Sequence, residues 1–351
     1  MSGVDVVIPC YKYAHYLRGC VQSVLDQAGV EVRVLIIDDC SPDDTPRVAT
    51  ELVKSDPRVS YRRHSANRGH IDTYNEGLLG WAGADYCLLL SADDLLMPGA
   101  LQRATGLMDG HADVSFTYGR AIHTPDPSKE IQLSHEGPGT RVLTGPQFIR
   151  LSCEEATNLV PTPTAIVRTC AQQKAGGYRR NLPHSGDMEM WLRLAAIGSV
   201  GVVDAELAYY RIHPAAMSVG YEGTRDLRAK KAAFDSVFAE YGTTMLDAAN
   251  LRRLAIETLA TRAFHTAGVR FEAGDDATTV QEYLDLAVEI FPQIADSRDW
   301  SRFATKRKCG RLLWNAMTRI AHLMRSRRSA NDQPAPQKDW LRAPWIQSHH
   351  C

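Results

Sequence analysis

The chain has 351 residues, 44% of them hydrophobic, and a formal net charge of −1. That is enough apolar material for one large domain or two smaller ones, and the near-neutral balance removes any global drive toward nucleic acid, so no nucleic-acid partner is expected. No run approaches the ~20 apolar residues that span a bilayer. The opening "MSGVDVVIPCYK" carries Asp5 and no long apolar core, so it does not read as a secretory leader. Eight cysteines stand at 10, 20, 40, 87, 153, 170, 309 and 351 without a C-x-x-C pair. Several lie inside apolar runs, which argues against structural zinc and for a reducing compartment. A cytoplasmic protein, or one held peripherally on the inner face of a membrane, is expected.

In chain order, "VDVVIP" (4–9) reads as a strand, and "YLRGCVQSVLDQ" (16–27) has the apolar spacing of a helix. "VRVLIIDD" (32–39) is nearly continuous in Val, Leu and Ile, as a strand covered on both faces requires. "SPDDTPRVATELVKS" (41–55) predicts a helix with Ser41 as N-cap and Pro42 at the first helical position. A strand at 58–64, a helix at 70–82 and a strand at 85–94 follow. This alternation predicts parallel α/β structure with right-handed crossovers, whose ligands bind beyond the carboxyl ends of the strands. Residues 113–220 continue as mixed strand and helix. Helical patterns at 227–241, 249–267 and 279–291 predict an α-helical extension over 221–330, and the Pro-, Gln- and His-containing tail at 331–351 reads as disordered.

The stretch "LSADDLLMP" (90–98) runs an apolar strand into two adjacent carboxylates, Asp93 and Asp94. Like charges side by side call for something positive. Hard divalent cations such as Mg²⁺ take oxygen ligands and need only one or two carboxylates plus substrate phosphates. An Asp-Asp pair alone is a weak signal, since strand-end aspartates also serve as turn residues or helix caps; Asp43 and Asp44 read that way.

Several separated motifs strengthen it. "VVIPCYKYAHYLRGCVQSVLDQ", "VLIIDDCSPDDT", "NRGHIDTYNEGL", "GADYCLLLSADDLLMPGAL" and "GDMEMWLRLAAIG" follow one another in an order and spacing that resemble the family 2 inverting glycosyltransferases, over roughly residues 1–220. The resemblance implies a GT-A domain at 1–220: an α/β fold with a Rossmann-like mixed sheet flanked by helices. It also implies a nucleotide-diphospho-sugar donor, most often a UDP-sugar, a divalent cation (Mg²⁺ or Mn²⁺) and an acceptor hydroxyl.

Carried onto this chain, the resemblance places Pro9 and Tyr11 against the nucleotide base and makes Asp39 the carboxylate that accepts a hydrogen bond from it. Arg68 becomes a candidate diphosphate contact. Asp93 would reach the donor ribose, Asp94 would hold the metal, and His213 in "YYRIHPAAMS" would stand near the metal or the diphosphate. Two positions depart from the pattern: Ser91 stands where most relatives carry another Asp, and Tyr74 where many carry Arg. Asp187 is the implied catalytic base. Inversion needs in-line attack by a hydroxyl, and a carboxylate within reach must take its proton. Asp187, followed by Glu189, also suits the start of a helix; Glu189 is the alternative base. His184 reads as an acceptor-site or loop residue.

Between 301 and 328 there are nine Lys/Arg and no Asp/Glu. This basic amphipathic segment at 302–328 has two readings, a helix docked on its own domain with solvated cations and a helix lying on an anionic membrane surface. The expected function is metal-dependent, inverting sugar transfer from a nucleotide-sugar donor to a glycan, lipid-linked or protein-linked acceptor, in cell-surface polysaccharide or glycoconjugate synthesis. Acceptor contacts are expected from 121–160 and the helical extension. The alternatives are a non-catalytic nucleotide-sugar-binding scaffold and a nucleotidyltransferase. The latter usually needs a glycine-rich loop after the first strand, and "PCYKYAHYL" has no glycine.

Overall fold

The computed structural model describes residues 1–127 and 139–310. The tail at 331–351 and residues 311–328 of the basic segment lie outside the described residues. Packing divides the chain into two units, one of residues 1–222 with 228–252 and one of 223–227 with 253 onward.

In the first unit, β1 (Gly3–Cys10), α1 (Ala14–Leu25), β2 (Glu31–Asp38), α2 (Thr45–Ser55), β3 (Val59–Arg63), α3 (His70–Gly80) and β4 (Tyr86–Leu89) alternate. The four strands pair in parallel in the order β3-β2-β1-β4. Then come β5 (Leu95–Leu96), α4 (Ala100–Asp109), β6 (Val114–Thr124), β7 (Thr140–Leu143), α5 (Gly145–Glu155), β8 (Ile166–Arg168), α6 (Thr169–Ala175), α7 (Gly186–Ile197) and β9 (Ser199–Arg211). Here the sheet turns mixed. β8 runs antiparallel between β4 and β6, β9 is parallel to β6, and β5 and β7 are antiparallel to β9. The mixed α/β sheet anticipated from the sequence is present.

Alternation along β1 sends Val4, Val6 and Ile8 to one face, where they meet Leu17, Cys20 and Val21 of α1 and Leu101 and Ala104 of α4 in one buried core. Val7 faces the other way, against α3. There Gly77 lies so close that a Cβ added to it would fall 2.3 Å from Val7 Cγ1. Alanine inside a helix normally gains up to ~1 kcal/mol over glycine, but overpacking a close contact costs roughly 1–3 kcal/mol. Gly77→Ala is therefore expected to lower stability in urea unfolding, and a Val7→Ala background should remove most of that penalty.

Two expected boundaries differ. The strand predicted at 85–94 ends at Leu89. The chain then turns, with the Asp94 N–H donating to the Ser91 carbonyl (3.0 Å), before β5 pairs with β9. The acids thus occupy a turn between two strands. The second helix begins at Thr45, because the Asp38 carboxylate captures the Ser41 N–H at 2.7 Å and holds residues 39–44 out of the helix.

Three further helices follow: α8 (Thr224–Tyr241), α9 (Ala248–Ala273) and α10 (Ala277–Ile290). The Asp276 carboxylate caps α10 by accepting from the Thr279 N–H (2.9 Å). In the second unit, α11 (Arg298–Cys309) seats Phe303 edge-on to Phe264 and Phe271 of α9, with ring centroids 5.6 Å apart in each case. Two of the described cations of the basic segment are engaged here: Lys306 pairs with Glu272, and Arg307 donates to Gln281 (3.1 Å). Among the described residues no helix is long and apolar enough to cross a membrane.

Candidate active site

The carboxyl ends of β1 and β2 lie side by side, Cys10 opposite Asp38. The Asp39 N–H donates to the Cys10 carbonyl (3.0 Å) and the Lys12 N–H to Ser41 Oγ (3.1 Å). This stitching holds Lys12 (φ 66°) and Cys40 (φ 60°) in the left-handed region, which costs a non-glycine residue roughly 1–2 kcal/mol. Such strain collects where a site needs a fixed backbone. Pro9 pairs with Ile37 in the strand register. The Tyr11 ring stands exposed, with the Lys12 ammonium 4.9 Å from its centroid.

Asp38 is fully buried and takes the Tyr61 hydroxyl (3.0 Å) besides the Ser41 N–H. Asp39 accepts from the backbone N–H groups of Arg68 (2.7 Å) and Gly69 (2.8 Å) and meets His64 Nδ1 at 2.7 Å. A carboxylate has about four acceptor positions, so one is left, on Oδ2. The Arg68 guanidinium, proposed for the diphosphate, is bonded to Glu76 (2.8 Å) on α3. Glu76 also receives Arg62 and His64. The "NRG" loop is thus pinned by its backbone to Asp39 and by its side chain to α3. Sequence reading passed over His64 and Glu76, which come together only through the strand–helix crossover.

The acid pair lies on the same edge of the sheet. Asp94 accepts the Arg211 N–H at 2.9 Å, and burial, followed by the charge of Asp93, pushes its carboxyl well above the usual carboxylate range. Asp93 takes His213 Nε2 at 3.0 Å on one oxygen, while its other oxygen, Oδ1, is buried with no hydrogen-bond partner. The nearest positive group is Arg211, yet its Nε donates to the Asp93 backbone carbonyl (2.9 Å), and its guanidinium stacks 4.3 Å from the Tyr16 ring centroid. The pair is therefore under-compensated. A buried acceptor without a partner costs about 1–3 kcal/mol, and two buried carboxylates resist ionising together.

A divalent cation fits this chemistry. The oxygens are hard, one of them lacks a partner, and one or two carboxylates suffice when phosphates and water complete the shell. Among the described residues no three His, Cys, Asp or Glu side chains converge into a ready-made metal cage. Asp93 and Asp94 would supply the protein oxygens. His213, whose imidazole lies edge-on to Tyr13 at 5.5 Å, holds Asp93 in place.

Asp187 is the second residue of α7. Its carboxylate does not cap the helix. It accepts instead from the Thr162 hydroxyl (2.7 Å) and from the Tyr178 hydroxyl, both brought in from other segments. Burial raises the Asp187 carboxyl above its ordinary value, against these two hydrogen bonds and the nearby His70 and His184. Thr162→Val removes one bond that favours the ionised form. The acid limb of the pH–kcat profile is therefore expected to move to higher pH, and a full profile of the variant checks it. Glu189, the alternative base, is fully buried and held by Arg193 (2.9 Å), Arg179 (2.8 Å) and Ser236 (3.0 Å).

Tyr74 on α3 connects the two acid centres. Burial raises its phenol, and the charges of Asp187 and of Asp93 raise it further.

Residues 5–169 match the family model Glycosyl transferase family 2. An uncharacterised protein of Mycobacterium tuberculosis is 28% identical over 66% of this chain and 72% of its own length. Chondroitin synthase of Pasteurella multocida is 27% identical over 56% of this chain, which spans only 19% of that protein. The crystal structure of S. aureus TarS 1–349 in complex with UDP-GlcNAc matches with a TM-score of 0.63 and 18% identity, covering 83% of this chain and 81% of that one. That likeness gives the fold, GT-A. Residues 5–169 therefore carry a glycosyltransferase family 2 domain, and the chain is a glycosyltransferase.

Proposed function

We propose that this enzyme transfers a sugar, with inversion, from a nucleotide-diphosphate donor to a hydroxyl of a glycan, lipid-linked or protein-linked acceptor, with the help of a divalent cation. A UDP-sugar is the favoured donor, in keeping with the UDP-GlcNAc carried by TarS. The chondroitin synthase relative supports a role in cell-surface polysaccharide or glycoconjugate synthesis. The observation that carries the reading is an under-compensated acid couple, Asp93 and Asp94, with one buried oxygen unpartnered, in the same unit as a separate raised carboxyl, Asp187.

In this reading the base rests on Pro9 and Tyr11, with the remaining acceptor position of Asp39 toward it. The unpartnered Asp93 oxygen takes a ribose hydroxyl or shares the cation with Asp94. Bound there, a divalent ion supplies Lewis-acid stabilisation of the charge on the departing diphosphate. Asp187 accepts the proton of the attacking hydroxyl, from the face opposite the leaving group. Thr162 and Tyr178 fix its orientation.

The test is to incubate the full chain with Mn²⁺ and a panel of nucleotide sugars. Release of nucleoside diphosphate from one of them, with an inverted anomeric product by NMR when acceptor is present, is the expected result. Pyrophosphate chemistry would point to a nucleotidyltransferase, and binding without release to a scaffold; either contradicts the proposal.

A further inference from the structure

His64 is a buried side chain that the proposed chemistry does not use. β3 ends at Arg63, and the His64 N–H continues its pairing with β2 by donating to the Asp38 carbonyl (2.9 Å). The imidazole, 4% exposed, stands between carboxylates from two different elements. Its Nδ1 meets Asp39 Oδ1 at 2.7 Å, just beyond β2, and its Nε2 meets Glu76 Oε2 at 3.0 Å on α3. A carboxylate only accepts, so each contact calls for a proton on its own ring nitrogen.

Glu76 makes a firm anchor. Against its burial, the hydrogen bonds of Arg62 and His64 hold its carboxyl below the ordinary value. Its helix is fixed on either side: Gly77 abuts Val7 of β1, and Asn75 both donates to the Tyr178 carbonyl (2.9 Å) and accepts its N–H (2.6 Å). The imidazole therefore ties Asp39 to a rigid part of the fold.

The bonds to Asp39 divide unequally between its oxygens. Oδ1 takes both His64 and the Arg68 N–H (2.7 Å) and is filled. Oδ2 takes only the Gly69 N–H (2.8 Å) and keeps one acceptor position. Without the imidazole, Oδ1 would have an open position too, and the carboxylate would no longer offer one defined oxygen. An oxygen that can only accept tells bases apart: it pairs with the N3–H of uracil and opposes the N3 lone pair of cytosine.

Resting on the proposed donor reading, we infer that His64 is a positioning residue for nucleotide recognition: its Nδ1 bond fills Asp39 Oδ1, leaves Oδ2 alone to meet the base, and so sharpens the preference for uracil.

Two variants separate the two bonds, because the amide of Asn can stand where Nδ1 stands and that of Gln where Nε2 stands. The full chain with Mn²⁺ is titrated with UDP and with CDP by calorimetry. His64→Gln, which gives up the Asp39 bond, should lose about 5- to 20-fold in UDP affinity and stay within about twofold for CDP. His64→Asn, which keeps that bond, should bind both within about twofold of wild type. A readout on wild type alone is the NMR signal of the His64 Nδ1 proton, which should shift on adding UDP and stay in place on adding inorganic diphosphate. Equal losses in the two variants, no loss in either, the same loss for UDP and CDP, or an Nδ1 proton indifferent to UDP would overturn the inference. Should wild type bind UDP no more tightly than CDP, the uracil reading of Asp39 has itself failed, a separately recognisable result.

Discussion

Asp187→Asn is expected to lower kcat by about 10²- to 10⁴-fold, the usual worth of a positioned general base, with donor affinity within about twofold of wild type. The amide keeps the shape of the side chain and can still accept from Thr162, so the fold around it should survive. What it cannot do is take a proton from the acceptor hydroxyl. Burial has already raised this carboxyl, bringing its proton affinity nearer to working pH and making it a better base than a solvated aspartate. Steady-state kinetics beside calorimetry with UDP separates the two quantities. Near-normal kcat would place the base elsewhere, and among nearby carboxylates Glu189 is already committed to Arg193 and Arg179.

Asp94→Asn should have an effect of similar size but of a different kind: kcat/KM falls at least about 100-fold, and activation by Mn²⁺ is lost. It should also change stability in an unusual direction. The folded-state carboxyl of Asp94 is raised above its unfolded value by burial and by Asp93. Its contribution to stability is therefore present below the unfolded value of about 3.9 and is lost as pH rises through the folded value. At neutral pH the metal-free wild type carries that penalty, and the neutral amide does not. Thermal melts in EDTA should show the variant to be the more stable protein. On adding Mn²⁺ the wild type should gain stability by mass action and the variant should not.

The parts of this site that could be read in the sequence are those whose signal is local. Runs such as "VDVVIP" and "VRVLIIDD" announce β1 and β2 because a strand buried on both faces has few other ways to be written. Asp39, Asp93, Asp94 and Asp187 stand out through the motifs around them. What escaped detection arrives from a distance. Thr162 and Tyr178, which hold Asp187, are 25 and 9 residues before it. Arg211, which holds Asp94, comes from the end of β9. β5 has only two residues, too few for any period, so the turn carrying the acids read as an extension of β4. The early start assigned to α2 failed because a buried carboxylate, Asp38, outcompeted the helix for the Ser41 N–H. The positive φ angles of Lys12 and Cys40 had no glycine to announce them.

The account depends on an ion and a diphosphate gathering at the acid couple while Asp187 faces them from the opposite side. Crystals soaked with Mn²⁺ and a UDP-sugar, read for anomalous scattering at the manganese edge, address this directly. The predicted result is a peak within about 2.0–2.6 Å of an Asp94 carboxylate oxygen, a range typical of hard divalent ions, with the donor diphosphate on the same ion and the anomeric carbon turned toward Asp187. An ordered donor with no manganese at Asp94, or with its anomeric carbon turned away from Asp187, would contradict it.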